Sequence, residues 1–506
     1  MSDQQAVIDY LAAPSTHGGA KVTRIDTHAA SVFLAGERAL KIKRAVRFPF
    51  LDFTTLDKRK AACEAELAVN RPYAPAIYRR VVAITREADG RLALGGTGEP
   101  VEWAVEMARF DENATLDRLA TRGAIDDALA DKLGRAAAVA HAAAAPASGS
   151  RFAGTLAEIV TQNDNELRET PALFPPDEVA ALTQKTRAML DRVRPLLEAR
   201  ERDGLVRRCH GDLHLGNIVR IDDAPVLFDA IEFDERIATA DVLYDLAFLL
   251  MDLIERGLAG AATIVLNRYL TATARDSDLD ALAALPLFLS VRAAIRAKVT
   301  AARAAHAKER TEAEQSARDY FTLARTLIDP PRPQLLAVGG LSGTGKSVLA
   351  ASLAAHVPPP PGAVVLRSDV IRKQIMGAAE TERLPPAAYS AEVTARVYVV
   401  IAERARRVLA AGHSAVADAV YARAEERDAI AKAAAGAPFR GLFLTADLAT
   451  RVARIGGRVA DASDADAGIA RQQEGYDLGH VDWFTIDASG TPADTLGRSC
   501  AALERG

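Results

Sequence analysis

The chain has 506 residues, enough for roughly two to four domains, and its 49% hydrophobic and 26% charged residues exclude a disordered or fibrous protein. Lys and Arg number 63 against 67 Asp and Glu, so the net charge of −4 supplies no broad pull toward nucleic acid or anionic membrane. Cys63, Cys209 and Cys500 lie far apart, in no metal-ligand or disulfide spacing, and predict buried thiols in a reducing compartment. The opening MSDQQAVIDYL has no signal-peptide pattern, and no apolar run approaches the ~18 residues of a membrane span, so a cytoplasmic location is expected.

In chain order, residues 20–110 hold four strand-like runs, SVFLAG, ALKIK, RRVVAIT and VEWAVEMARF. In ALKIK, Lys41 and Lys43 alternate onto one strand face, with Leu40 and Ile42 on the other. The aromatic segment RFPFLDFTTLDKRK comes next, with Phe48, Phe50 and Phe53 read as packing. A helical run containing CEAELAVN offers Glu64 and Glu66. Residues 115–205 and 238–328 carry Ala-rich helical patterns. Between them, HGDLHLGN at 210–217 places Asp212 and Asn217 five apart. That is the spacing of a kinase catalytic loop, in which the aspartate orients the acceptor hydroxyl and the asparagine holds a metal ion. Twelve residues on, VLFDAIEF sets Asp229 on a short apolar run, where a second metal ligand belongs. His210, Asp212, His214, Asn217 and Asp229 also permit a metallohydrolase cluster, a reading weakened by a total of only nine histidines.

The run IDPPRPQ cannot continue a helix. It divides the chain into a first domain at 1–327 (sheet-rich lobe about 1–110, helical lobe about 111–327), a Pro-rich linker at 328–334 and a second domain at 335–506. The second domain alternates strand and helix, with strands in LLAVGG, AVVLRS, SAVADAV and FRGLFLT, which predicts an α/β fold with a parallel sheet.

Residues 340–347 read GLSGTGKS, between an apolar strand and a helix. A Gly-rich turn there aims backbone N–H groups at phosphates from the positive end of the helix. Gly340, Ser342, Gly343, Thr344 and Gly345 form the expected cradle, Lys346 reaches the β- and γ-oxygens, and Ser347 ligates Mg²⁺. Asp369, after the second strand, suits a base for a hydroxyl acceptor, with Arg372 on the same side of the next helical turn; an N-cap and an exposed arginine are the plain alternative. Asp418 ends the third strand as a metal-shell acid or a cap. Arg451, Arg454 and Arg458 recur at helical spacing and form either a lid over the phosphoryl group or a solvated face.

GLSGTGKS, the Ser-Asp-x-x-Arg after strand two and the arginine face make residues 334–500 resemble the small P-loop kinases. That group includes gluconate and adenylylsulfate kinases, polynucleotide 5′-kinases and zeta-type toxins. No AAA-type sensor or arginine-finger pattern appears, which sets this half apart from ring motors. HGDLHLGN makes residues 20–325 resemble the aminoglycoside phosphotransferase and choline kinase superfamily, whose fold is α+β, two-lobed and protein-kinase-like. The resemblance implies that Asp212 is the catalytic base, that Asn217 and Asp229 hold Mg²⁺ with Glu232 as a possible extra ligand, and that Asp241 and Asp245 brace the loop. It also implies an ATP lysine, Lys41 in preference to Lys43, paired to a helix glutamate, Glu66 in preference to Glu64. No G-x-G-x-x-G precedes the lysine. The order of motifs is similar to a bacterial family labelled bifunctional aminoglycoside phosphotransferase and ATP-binding protein.

The expectation is an ATP- and Mg²⁺-dependent enzyme with two kinase-type centres that phosphorylate hydroxyls of small molecules. Two alternatives stay open: one centre serves as a nucleotide-binding regulatory module, or the second half is a polynucleotide or nucleotide-sugar kinase. Asp164, Glu166 and Asp252 are acids that a cationic acceptor would need gathered in one pocket.

Overall fold

Strand Arg38–Lys43 buries Leu40 and Ile42 completely, while its two lysines share the opposite face. In the computed structural model, which describes residues 3–48, 51–147, 149, 151–304, 310–457 and 462–505, this strand lies inside a six-stranded antiparallel sheet. The strands are β1 (Val22–Asp26), β2 (Ala30–Ala35), β3 (Arg38–Lys43), β4 (Tyr78–Arg86), β5 (Leu92–Leu94) and β6 (Glu99–Ala108), ordered β1-β2-β3-β6-β4-β5. Phe33, Leu40, Ile42, Val82, Ile84 and Ala104 form a core on one face with Val7, Ile8 and Leu11 of the first helix. Strands β1 and β5 are additions to the four runs legible in the sequence; β1 is mostly exposed, so no apolar alternation marks it.

Helix α1 (Leu56–Asn70) starts at Thr55, whose hydroxyl accepts a hydrogen bond from Lys58 N. Its buried stripe is Arg59, Cys63, Glu66 and Asn70. The i, i+4, i+7, i+11 spacing is that of a core-facing stripe, yet three of the four side chains are polar. Arg59 answers the buried Glu102 at 2.8 Å, and Phe53 packs in the interior with Lys43 Nζ 5.5 Å from its ring centre. Phe50 lies outside the described residues.

The sheet of the second half is wholly parallel. Its strands are β7 (Leu335–Gly340), β8 (Val364–Arg367), β9 (Ala415–Asp418), β10 (Phe439–Thr445) and β11 (Phe484–Asp487), in the order β8-β9-β7-β10-β11. Strand β7 thus lies at a switch of strand order, where open α/β sheets bind ligands at the carboxyl ends of their strands. Leu336, Val338, Val416, Leu442 and Leu444 pack with Leu349 and Leu353 of helix α3, which succeeds the Gly-rich turn (Lys346–Ala354). Strand β11 is not legible in the sequence: it is a four-residue edge strand that buries only Ile486.

By contacts the chain divides into two compact units, Met1–Thr155 with Glu198–Leu249, and Leu156–Leu197 with Leu250–Gly506. This grouping does not coincide with the proline-rich segment at 328–334. Helix α2 (Ala259–Thr273) packs against β8, which gathers helices of the first half with the P-loop sheet. Residues 330–334 carry no regular structure and lead straight into β7, as three prolines require.

Candidate active sites

In the first unit, Glu66 is fully buried and bridges both lysines of β3: Lys41 Nζ lies 2.8 Å from one carboxylate oxygen and Lys43 Nζ 2.7 Å from the other. Both lysines therefore meet the helix glutamate, and their second partners distinguish them. Lys41 also reaches Asp229 at 2.6 Å, whereas Lys43 pairs with Glu232. Glu232 is buried in that pair and is not a surface residue, and Glu64 is exposed. Burial opposes the charge on all three central groups, but mutual attraction wins. Glu66 is held well below the usual carboxylate range by Lys41 and Lys43, and Lys41 is pushed up by Asp229 and Glu66.

Asp229 adopts a left-handed backbone, φ +59°, a conformation that a non-glycine residue keeps only when its surroundings hold it. Tyr78 and Asn70, the last residue of CEAELAVN, supply that hold. Asp229 N–H donates to the Tyr78 hydroxyl at 3.1 Å. Asn70 donates to Ala230 O at 3.1 Å and accepts from Ala230 N at 2.7 Å. Asn70 closes the polar stripe of α1, a signal visible only once its register on the sheet is known.

The 210–217 loop is braced from behind by Asp245, which accepts from Gly211 N at 2.8 Å and His210 N at 3.3 Å. Asp241 departs from the expected brace: it binds Arg200 in a two-pronged pair, 2.7 and 2.9 Å, beside the strand before the loop. Asn217 Nδ2 donates to the Asp212 carboxylate at 2.9 Å and to its backbone O at 3.0 Å. The Asn217 carboxamide oxygen accepts no hydrogen bond among the described residues. His210 is buried with its basicity lowered by that burial, its Nε2 on Phe228 O at 2.9 Å. His214 Nδ1 accepts from Gly216 N. His214 Nε2 lies 3.4 Å from the Asp212 carboxylate, but His210, His214 and the neighbouring acids do not gather into a metal-like cluster among the described residues, which weighs against the metallohydrolase reading. The metal-like grouping among the described residues is His141, Cys209 and Asp245, where the Asp245 oxygens already serve His141 and the loop.

In the second unit the Gly-rich turn has the shape that phosphate binding needs. Gly343 and Gly345 have φ near +90°, and a Cβ on Gly343 would lie 2.5 Å from Arg451 O. The first bond of α3 runs from Leu349 N to Gly345 O, so the N–H groups of Gly345, Lys346, Ser347 and Val348 precede any intrahelical acceptor. Two members of the expected cradle face elsewhere. Ser342 N–H donates to Gln473 Oε1 at 2.7 Å, and the Thr344 hydroxyl turns inward to Leu341 O. Gly340, at φ +140°, gives the close approach to β10, where a Cβ would meet Leu444 O at 2.8 Å.

Asp418 ends β9 almost fully buried, hydrogen-bonded to Ser347 and 3.6 Å from Arg367. Burial raises its pKa against the pull of Lys346 and Arg367, and its Oδ1 is buried without a hydrogen-bond partner. A carboxylate oxygen left bare beside a P-loop lysine and serine fits a cation. Asp369 sits half-buried in the first turn of helix α4 (Ser368–Met376). Arg372 is not an exposed arginine. It is buried under Tyr389, 4.8 Å from the ring centre, and donates to Ala388 O and the Thr394 hydroxyl.

The arginine face departs most from expectation. Arg451 is buried and donates to Ser342 O at 2.9 Å and Ala470 O at 3.1 Å, with Glu474 as its ion pair. Arg454 donates to Thr344 O, Ala488 O and Gly490 O. Both hold the turn through its own carbonyls, Arg451 at Ser342 O and Arg454 at Thr344 O. Arg458 lies outside the described residues. The acids Asp164, Glu166 and Asp252 do not converge either: each answers its own cation, Arg168, Lys298 and Arg256 respectively.

Residues 52–285 match the phosphotransferase enzyme family, and residues 335–477 match a family described as AAA domain. The chain is a fusion of a phosphotransferase-family domain and a P-loop domain. The first match contains Glu66, Asp212, Asn217 and Asp229, with Lys41 just ahead of it; the second contains the Gly-rich turn, Asp369 and Asp418. The fusion is a kinase-type phosphotransferase. Uncharacterized proteins of Mycobacterium tuberculosis and Mycobacterium bovis are each 28% identical to it over 491 residues, 94% of this chain and 94% of theirs. Among solved structures, a choline/ethanolamine kinase family protein from Mesorhizobium loti is 17% identical and covers 65% of this chain and 96% of its own, with a TM-score of 0.41. A gluconokinase from Sinorhizobium meliloti is 21% identical and covers 34% and 93%, with a TM-score of 0.26. No helix among the described residues is long and apolar enough to cross a membrane.

Proposed function

We propose that the fusion carries two separate ATP-dependent centres, each directing the γ-phosphate to a hydroxyl of a small molecule. The observation that carries this reading is the pairing of two unlike phosphate grips on one chain. One is a buried Lys41–Glu66 ion pair joined to Asp229, on the same unit as the hydrogen-bonded Asp212 and Asn217; the other is a positive-φ glycine turn with Lys346 and Asp418 beside it.

In the first centre Lys41 contacts the phosphates and Glu66 fixes its ammonium. Asp212, oriented by Asn217, accepts the hydroxyl proton as the acceptor attacks. In the second, the N–H groups of Gly343, Gly345, Lys346 and Ser347 and the Lys346 ammonium hold the phosphates, and Asp369 is the base. Arg372 shapes the acceptor side through Tyr389 and does not react. Asn217 and Asp229 would hold Mg²⁺ in the first centre, Ser347 and Asp418 in the second. When bound, Mg²⁺ would offset the negative charge of the phosphate oxygens. Positioning and charge neutralisation account for most of such catalysis, which suits sites built of fixed ion pairs and backbone donors. The separate pairing of Asp164, Glu166 and Asp252 supports a neutral or anionic acceptor over an aminoglycoside-like cation. Near-neutral overall charge supports a small acceptor over a nucleic acid.

The test is an ATP-consumption screen over a panel of sugars, hydroxy acids, amino alcohols and aminoglycosides with wild type, Asp212→Asn and Lys346→Ala. Each variant should lose a different set of acceptors. Loss of every activity in one variant with none lost in the other would leave a single catalytic centre and make the second a nucleotide-binding module.

A further inference from the structure

Strand β8 is the edge of the parallel sheet, and its outward N–H and C=O groups need a partner. Val364 N faces inward, donating to Ser414 O at 2.9 Å, so the outward groups are those of residues 363 and 365. The Ala363 N–H donates to Ala354 O at 2.8 Å, and two of the other groups, Ala363 O and Val365 N, are met by one side chain of α2. Asn267 donates Nδ2–H to Ala363 O at 3.0 Å and accepts from Val365 N at 2.7 Å through Oδ1. The carboxamide stands where the peptide of another strand would stand. One turn earlier, the buried Thr263 hydroxyl donates to Pro361 O at 2.5 Å. Gly362 permits this approach: a Cβ there would lie 2.5 Å from Thr263 Oγ1 and 2.6 Å from Ala354 O.

Helix α2 and the residues just after it also hold the chain beyond β8. Arg268 donates to Glu380 at 2.5 Å, both largely shielded, in the segment after α4. Arg404, on the helix Ala391–Ala410, joins Asp276 at 2.9 Å to Gln374 of α4 at 2.6 Å. Helix α2 lies within the phosphotransferase match, and β8 and α4 within the P-loop match. We propose that Asn267 and Arg268 are positioning residues for the P-loop centre: α2 of the phosphotransferase-family segment sets β8 and α4, and with them Asp369. This rests on the reading of Asp369 as the acceptor-side base. By contrast the phosphate turn is clamped by Arg451 and Gln473, on other elements. Loss of the α2 contact should therefore disturb the acceptor side and spare nucleotide binding.

Hydrogen–deuterium exchange on the full chain tests the contact without requiring an acceptor. Asn267→Asp and Arg268→Glu should each speed exchange at least about fivefold in peptides spanning 363–384 and leave peptides spanning 340–354 unchanged. Adding Glu380→Arg to Arg268→Glu should restore protection. In an Asp212→Asn background the two single variants should lower kcat of the remaining ATP turnover about tenfold at unchanged KM for ATP. Unaltered exchange over 363–384 in both variants, or failure of the charge swap to restore it, overturns the proposal. Altered and rescued exchange with unchanged kcat would confirm the contact and overturn its link to Asp369.

Discussion

Glu66 concentrates the electrostatics of the first unit, since one buried carboxylate compensates two buried ammonium groups. Removing its charge leaves two lysines without their shared counterion, and breaking a buried pair this way costs about 3–5 kcal/mol. Glu66→Gln should lower the stability of the chain by that amount, read from the urea midpoint of the first unit. The folded carboxyl is lowered to about 2 from 4.5, so its contribution is complete above the unfolded value and is lost as pH falls from about 4.5 toward 2. Wild type should therefore weaken steeply over that window, and Glu66→Gln should show a shallower acid limb. Lys41 behaves oppositely: its raised value makes its contribution complete below the unfolded pKa and lost only as pH rises beyond it. Strand alternation places Lys41 and Lys43 on one shared face and goes no further in choosing between them. The Asp229 contact that separates them comes from a residue 188 positions away.

Among the elements, the strand–turn–helix of residues 335–354 is the most legible in the sequence, because its glycines, lysine and serine answer local backbone geometry. Gly343→Ala would impose both a left-handed conformation on alanine and a 2.5 Å clash with Arg451 O. We expect Mg²⁺·ATP affinity at this centre to fall at least about tenfold, or 1.4 kcal/mol, by calorimetry in a Lys41→Ala background. The helix Leu448–Gly456 departs from its sequence pattern for a related reason. Its arginines recur at a spacing that suits an exposed basic face, but Arg451 is buried against Ser342 O and Glu474. Helical spacing states which residues share a face; it does not state whether that face meets solvent or a turn 109 residues earlier.

At the scale of the whole molecule, two centres that work separately should add. Asp212→Asn and Lys346→Ala should each remove one part of total ATP consumption, the parts should sum to the wild-type rate, and the double variant should fall to background. A double variant that retains turnover would require a third source of catalysis.

The sequence by itself determined the two motif-bearing segments and their order along the chain. Asp212, Asn217 and Asp229 lie within one short stretch, and GLSGTGKS is a single turn, so their chemistry depends on neighbours along the chain. Tertiary structure alone decided which groups stand behind those motifs: Tyr78 and Asn70 under Asp229, Arg451 and Gln473 behind the turn, and Asn267 on the sheet edge. It also decided that helices before the proline-rich segment group with the sheet after it. An orienting partner needs only to reach its target in space, and no local periodicity records which distant backbone group a buried Arg or Asn will satisfy.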